Sequence, residues 1–248
     1  MAKLKSFESL KTANELKDYL SNVLKYHQPK AYFHYTKLSN VIKIYESGTF
    51  KATQIKNMND RLEKDFASDC KEFFTCLMGS VVENFGMWAM YGGIGTHLFS
   101  IENKTDDAYV KIKIPADKLK EFIIESTTVC MRSIAYTNFN SQIKKDKKPS
   151  IIRCGTCENK ETINIFDDCL HGFVKDNAWS YEKEVRLVSQ NEFIDISSIL
   201  NTFTVIPSPN NSIQECKMIF KKLKCNTTLK CEPRFEENDY YNLVINNK

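Results

Sequence analysis

The sequence predicts an α+β fold, and three observations carry that expectation. Short β-rich stretches recur along the chain: Ala31-Tyr-Phe-His-Tyr-Thr36, Ala108-Tyr-Val-Lys-Ile-Lys-Ile114 and Thr202-Phe-Thr-Val-Ile206. Between them lie segments whose apolar residues recur at helical spacing, such as Leu38, Val41, Ile42 and Tyr45. At 248 residues and 42% hydrophobic content, the chain can bury one substantial core.

In chain order, residues 7–27 read as helical. Leu16, Leu20, Val23 and Leu24 recur among Lys, Glu and Asn, with Leu10 before them. Gln28-Pro29 closes the segment, because a residue before proline leaves the α region. Residues 1–30 are therefore expected as an N-terminal helical extension, and 31–248 as a single α+β domain. The strand 31–36 carries His34 and feeds a helix that ends at Gly48, where a left-handed cap residue is wanted. Thr49–Thr53 is extended, and Asn57-Met-Asn-Asp60 reads as a polar turn.

Residues 61–91 read as mostly helical around the short strand Phe73–Leu77. Val81, Val82, Phe85, Trp88, Ala89 and Tyr91 supply an apolar helix face there. Gly92-Gly-Ile-Gly95 breaks it and lacks dinucleotide-fingerprint spacing. Thr96–Ile101 and Ala108–Ile114 follow as strands, and Pro115 opens a helix over 116–124. Thr128–Tyr136 is expected as a strand and 162–175 as helical. After Pro207 and Pro209, Ile213–Leu223 has the pattern of an amphipathic helix.

Charge and cysteine usage exclude several classes. The balance of 35 basic against 31 acidic residues is too even to imply nucleic acid or a membrane surface by itself. No apolar run approaches the roughly 18 residues that cross a bilayer. Met1-Ala-Lys-Leu-Lys-Ser6 has no apolar core for secretion, and nine irregularly spaced cysteines do not read as a disulfide framework. A reduced, cytoplasmic protein with no membrane partner is expected. Cys154, Cys157, Cys169 and His171 offer a zinc-like set, but the Cys-x-His half is too tight for the usual ligand pair. No metal site is expected. The lysines 144, 145, 147 and 148 read as a solvated loop that could meet a phosphate.

The stretch Trp179-Ser-Tyr-Glu-Lys-Glu-Val-Arg-Leu-Val188 carries the most chemistry. At a period of two it reads as a strand with Glu182, Glu184 and Arg186 on one face. Carboxylates two residues apart repel unless a cation lies over them. Either Arg186 supplies that cation in a solvated salt bridge, or the row lines a ligand site.

The order of motifs adds a resemblance. Phe33-His-Tyr-Thr36, Ser47-Gly48, Met58-Asn-Asp60, Met87-Trp-Ala-Met-Tyr91, Ile134-Ala-Tyr136 and Trp179–Leu187 follow one another. This series resembles the bacterial domain-of-unknown-function 2971 family over roughly residues 31–210. More distantly it is similar to the ADP-ribosyltransferase superfamily of the His-Tyr-Glu or Glu-x-Glu type. That likeness implies a split antiparallel sheet core flanked by helices. It also implies NAD as substrate, with transfer to an unknown protein or nucleic-acid acceptor, or hydrolysis, in a setting such as bacterial defence or toxicity. Carried over, Glu184 is the catalytic carboxylate and Glu182 orients the acceptor. His34 holds the adenosine ribose, with Tyr35 and Thr36 beside it. Tyr91 or Trp88 packs on nicotinamide. Arg186, Arg132 and Lys51 are candidate pyrophosphate donors. A fixed carboxylate suits this chemistry because breaking the nicotinamide bond develops positive charge at the ribose carbon. Two other readings stand beside it. One is a non-catalytic nucleotide-sensing or interaction module. The other is a nucleic-acid-processing protein using Asp60, Glu63 and the lysine loop.

Overall fold

The computed structural model describes residues 10, 12–26, 29–61, 63–64, 70–79, 84–91, 108–137, 150–152, 162–164, 172–209, 211, 218–219, 221–223 and 230–231. Helices are α1 (Ala13–Tyr26), α2 (Leu38–Ser47), α3 (Phe85–Tyr91) and α4 (Ala116–Glu125). Strands β1 to β6 are Ala31–Lys37, Thr49–Lys51, Phe73–Met78, Tyr109–Pro115, Val129–Ser133 and Ala135–Thr137. Strands β7 to β10 are Ser150–Ile152, Thr162–Asn164, Val174–Asp176 and Glu184–Ser189. Strands β11 to β13 are Phe193–Asp195, Thr204–Pro207 and Lys230–Cys231.

The fold is mixed α/β around a main, mostly antiparallel sheet in the order β13-β12-β4-β1-β3-β10-β5, with β12 and β13 paired in parallel at one edge. Contacts divide the chain into two compact units. The first comprises residues 1–28, 51–76 and 126–194, and the second 29–50, 77–125 and 195–248.

In the first unit, α1 starts from a capping box that its sequence encodes. Thr12 Oγ1 accepts from the Glu15 N–H at 3.2 Å, and Glu15 Oε2 accepts from the Thr12 N–H at 3.2 Å. Leu10, Leu16 and Leu20 then join a core cluster with Ile55, Phe74, Phe173 and Val174. Burial of these leucines makes α1 part of that core, because each buried apolar side chain contributes about 1.5–3 kcal/mol. Strand β10 pairs antiparallel with β5, setting Arg186 opposite Arg132 and Val185 opposite Ser133. Strands β6 and β9 pair in parallel, with Tyr136 opposite Lys175.

In the second unit, β1 pairs antiparallel with β4 along its whole length, and β4 pairs with β12. Helix α2 ends as its sequence requires: Gly48 adopts φ 68°, and its N–H donates to the Ile44 carbonyl at 2.8 Å. Tyr32, Ile112, Ile114, Leu38, Val41, Leu119 and Phe203 are fully buried here.

Three expectations change. Residues 162–164 and 174–176 are strands rather than parts of one helix; Ile163 and Val174 are β-branched residues in ladders with Ile151 and Ala135. The strand expected over 128–136 is two strands, interrupted at Ile134, whose N–H bonds the Glu184 carbonyl. The strand expected from Trp179 begins only at Glu184. Asp176 Oδ1 accepts from the Ala178 N–H at 2.9 Å and caps a 3₁₀ turn over Asn177–Glu182. Lys183 then adopts φ 43°, ψ 48° and redirects the chain into β10. Local turn chemistry overrides the alternation. The strand 96–101, the lysine loop 144–148, most of the helix expected over 213–223, and Cys154, Cys157, Cys169 and His171 lie outside the described residues. Among the described residues no helix is long and apolar enough to cross a membrane, and no metal-ligand cluster occurs.

Candidate functional site

The first unit holds a buried ion network built from four separated segments. Glu184, the first residue of β10, divides its carboxylate between two cations. Oε1 accepts from Arg186 Nε at 2.7 Å, and Oε2 accepts from Lys175 Nζ at 3.0 Å. Lys175, in β9, also donates to Glu182 Oε2 at 2.5 Å. Glu182 is therefore not a neighbour of Glu184 along a strand face. It closes the 3₁₀ turn, and the αL residue Lys183 brings both carboxylates to one ammonium. Arg186 Nη1 donates to the Gly172 carbonyl at 2.6 Å and forms an ion pair with Glu63. Glu182, Glu184, Lys175, Arg186 and Glu63 are all at most 5% exposed. The solvated-edge reading of this row is thus replaced by a buried network.

The electrostatics follow from that burial. Desolvation by itself would raise the Glu184 carboxyl, but the charges of Arg186 and Lys175 outweigh it and hold it well below the usual carboxylate range. Desolvation likewise disfavours the Lys175 and Arg186 cations, yet the facing carboxylates keep both charged, above their ordinary values. Tyr136 accepts from the Glu184 N–H through its hydroxyl oxygen at 2.8 Å. Burial, reinforced by Glu184, pushes the Tyr136 phenol well up. It stays protonated across the range in which proteins function.

Aromatic rings seat the cations. The Arg186 guanidinium lies 5.5 Å over the Phe74 ring, Phe74 meets Phe173 edge-on at 5.9 Å, and Arg132 lies 5.8 Å over Phe173. Gly172 permits this stacking: a Cβ there would stand 2.8 Å from Phe74 Cζ and 3.1 Å from Ile55 Cδ1. Gly172→Ala is accordingly expected to destabilise the protein by about 1–3 kcal/mol, the usual cost of overpacking. Urea unfolding of the variant checks this, and an unchanged midpoint would contradict it.

Cys76 adjoins the same network. Its thiol donates to the buried Glu184. Crowding by the surrounding protein, followed by the Glu184 charge, pushes that thiol well above its ordinary value. Alkylation by iodoacetamide at pH 7.5 is expected to be slower at Cys76 than at the exposed Cys130, since only the thiolate reacts. Peptide mass spectrometry over a time course reads both rates. Faster labelling at Cys76 would overturn this expectation.

The remaining expected site residues belong to the second unit. His34 is half-buried and lies edge-on to Phe50 at 5.5 Å, while Phe50 stacks on Phe203. The Thr36 hydroxyl accepts from Asn40 Nδ2 at 3.0 Å. Tyr35 points to the other face of β1 from His34 and Thr36, and meets Trp88 edge-on at 4.7 Å. Tyr35, Trp88 and Met78 form one cluster, with Phe33, Met87 and Tyr91 packed against it. The Lys111 ammonium sits over three of these rings: Phe33 at 4.9 Å, Trp88 at 5.6 Å and Tyr35 at 5.7 Å. The structure thus brings Tyr35, Trp88 and Tyr91 together and places His34 and Thr36 on the other face of the same strand. Of the suggested phosphate donors in the first unit, Lys51 pairs with Glu192 at 3.4 Å on the surface, and Arg132 lies over Phe173 with its buried Nη1 making no hydrogen bond.

Sequence reasoning missed Lys175, Cys76, Phe33 and Lys111. Lys175 fell inside an expected helix, and its link to Glu182 runs through the unforeseen 3₁₀ turn. Lys111 was legible as an alternating strand residue, but its aromatic box is assembled from three elements. No family model, curated protein or solved structure matches the chain. The family resemblance therefore rests on the quoted motifs alone.

Proposed function

We propose that this protein is a nucleotide-sensing or interaction module with an ADP-ribosyltransferase-like frame, in which Glu182 and Glu184 hold the fold rather than perform chemistry. One observation carries the reading: both oxygens of Glu184 are already engaged by protein cations at 2.7 and 3.0 Å, in a residue 5% exposed. A carboxylate that stabilises a ribosyl cation must face the ribose. Here it would first have to release Arg186 or Lys175, and parting a buried pair costs about 3–5 kcal/mol. The nucleotide part of the reading rests on the motif resemblance and on the half-buried rings of Phe33 and Tyr91 packed against the buried Tyr35–Trp88 pair.

A second, enzymatic reading draws on one specific feature. Arg186 and Lys175 keep Glu184 ionised at neutral pH, and ionisation is what NAD cleavage would need of it. On that reading the protein transfers ADP-ribose to a protein or nucleic-acid acceptor, or hydrolyses NAD. Equilibrium dialysis with labelled NAD and labelled ATP tests the module reading. Saturable binding of either nucleotide is expected. Absence of binding to both at millimolar ligand would remove the nucleotide reading.

A further inference from the structure

We propose that the face of the second unit's sheet carrying Phe33 and Lys37 binds a phosphate-bearing nucleobase, with lysines meeting phosphate and aromatic rings stacking on the base. This deepens the module reading and rests on it. The strand register carries the inference. Residues directly opposite each other in an antiparallel ladder share a face. Phe33 pairs with Lys113, which pairs with Thr204 on β12; Tyr35 pairs with Lys111, which pairs with Ile206; Lys37 pairs with Tyr109. Across β1, β4 and β12 three adjacent rows thus align three lysines and three aromatic rings, of which Tyr35 and Lys111 are buried and Phe33, Lys37, Tyr109 and Lys113 are half-buried.

The side chains agree with the register. Lys111 reaches over Phe33 and Tyr35, and Lys37 lies 5.6 Å from the Tyr109 ring centroid. Burial separates the roles. Lys111 is 6% exposed and fixes the aromatic cluster, whereas Phe33, Lys37, Tyr109 and Lys113 are only half-buried. The opposite face of the same strands, with Tyr32, Ile112 and Val205, is fully buried core. A basic row interleaved with aromatic rings suits an anion that carries a π-face. Every nucleobase offers such a face, and phosphate supplies the charge. Tyr91 and Met87, half-buried at the edge of the Trp88 cluster, would border the base.

The test uses the full chain with two probes, labelled NAD and a fluorescein-labelled twelve-base oligothymidine. Binding of NAD alone marks a single nucleotide as the ligand; binding of the oligonucleotide marks a strand. Charge reversal of Lys37 and Lys113 together is expected to weaken whichever probe binds by about tenfold or more. It should also lower the slope of log affinity against log salt for the oligonucleotide by about 2. Phe33→Ala is expected to weaken binding by roughly tenfold, because stacking is lost. Lys37→Glu alone, at a half-exposed strand end, carries the test if the other variants melt early. Variants that bind like the parent would overturn the inference while leaving the module reading intact. Absence of binding by the parent would overturn both.

Discussion

Arg186→Met is expected to destabilise the protein by about 3–5 kcal/mol, the cost of removing one partner from a buried ion pair. Arg186 is fully buried, and its guanidinium holds Glu184, Glu63 and the Gly172 carbonyl together. Methionine fills a similar volume and can lie on Phe74, so packing survives better than charge balance. What the variant leaves is two carboxylates without their shared cation. Glu184 keeps Lys175 at 3.0 Å, but Glu63 loses the cation it pairs with, and the unfolding midpoint in urea should drop sharply at pH 7. A midpoint within error of the parent would show that the network contributes nothing to the fold.

Glu184→Gln is expected to act through the same cations and to change the pH dependence of stability. The sign follows from the folded-state shifts. Glu184 is depressed below its ordinary 4.5, so its contribution is present above that value and is lost as pH falls toward the folded pKa. Lys175 is raised above 10.5, so its contribution is present below that value and is lost only at strongly alkaline pH. The parent should therefore be most stable over a wide neutral plateau and lose stability below about pH 4.5. In Glu184→Gln the neutral amide leaves Lys175 and Arg186 under-compensated. It should lower the plateau by about 3–5 kcal/mol and flatten the acid limb. Thermal melts from pH 3 to 8 read both effects; a steep acid limb retained in the variant would assign that limb to other carboxylates.

Much of the scaffold was legible in the sequence because its signals are local. Gly48 ends α2 where a left-handed residue was expected, and Pro115 closes β4 just before α4. The strands around His34 and Val110 follow from alternation of β-branched and aromatic residues. The candidate site was legible only in part. The importance of Glu182, Glu184 and Arg186 as a group is apparent from their row, but the route by which they meet is not. That route depends on the Asp176 cap and the positive φ of Lys183, features that a period-two pattern conceals. Lys175 and Glu63 enter from distant segments, and no spacing rule links a lysine in one strand to carboxylates 7 and 9 residues later across a turn. The lysine–aromatic face was hidden for a related reason. Phe33, Lys111 and Trp88 share a face through register between β1 and β4 and the placement of α3.

Release of free nicotinamide from NAD, followed by chromatography for the parent and for Glu184→Gln at a temperature where both are folded, tests the central claim most directly. The parent is expected to release no nicotinamide above the buffer rate, whether or not it binds NAD, and Glu184→Gln to differ from it in stability alone. Steady nicotinamide release by the parent, abolished in a Glu184→Gln protein of unchanged stability, would contradict it and make Glu184 a catalytic residue.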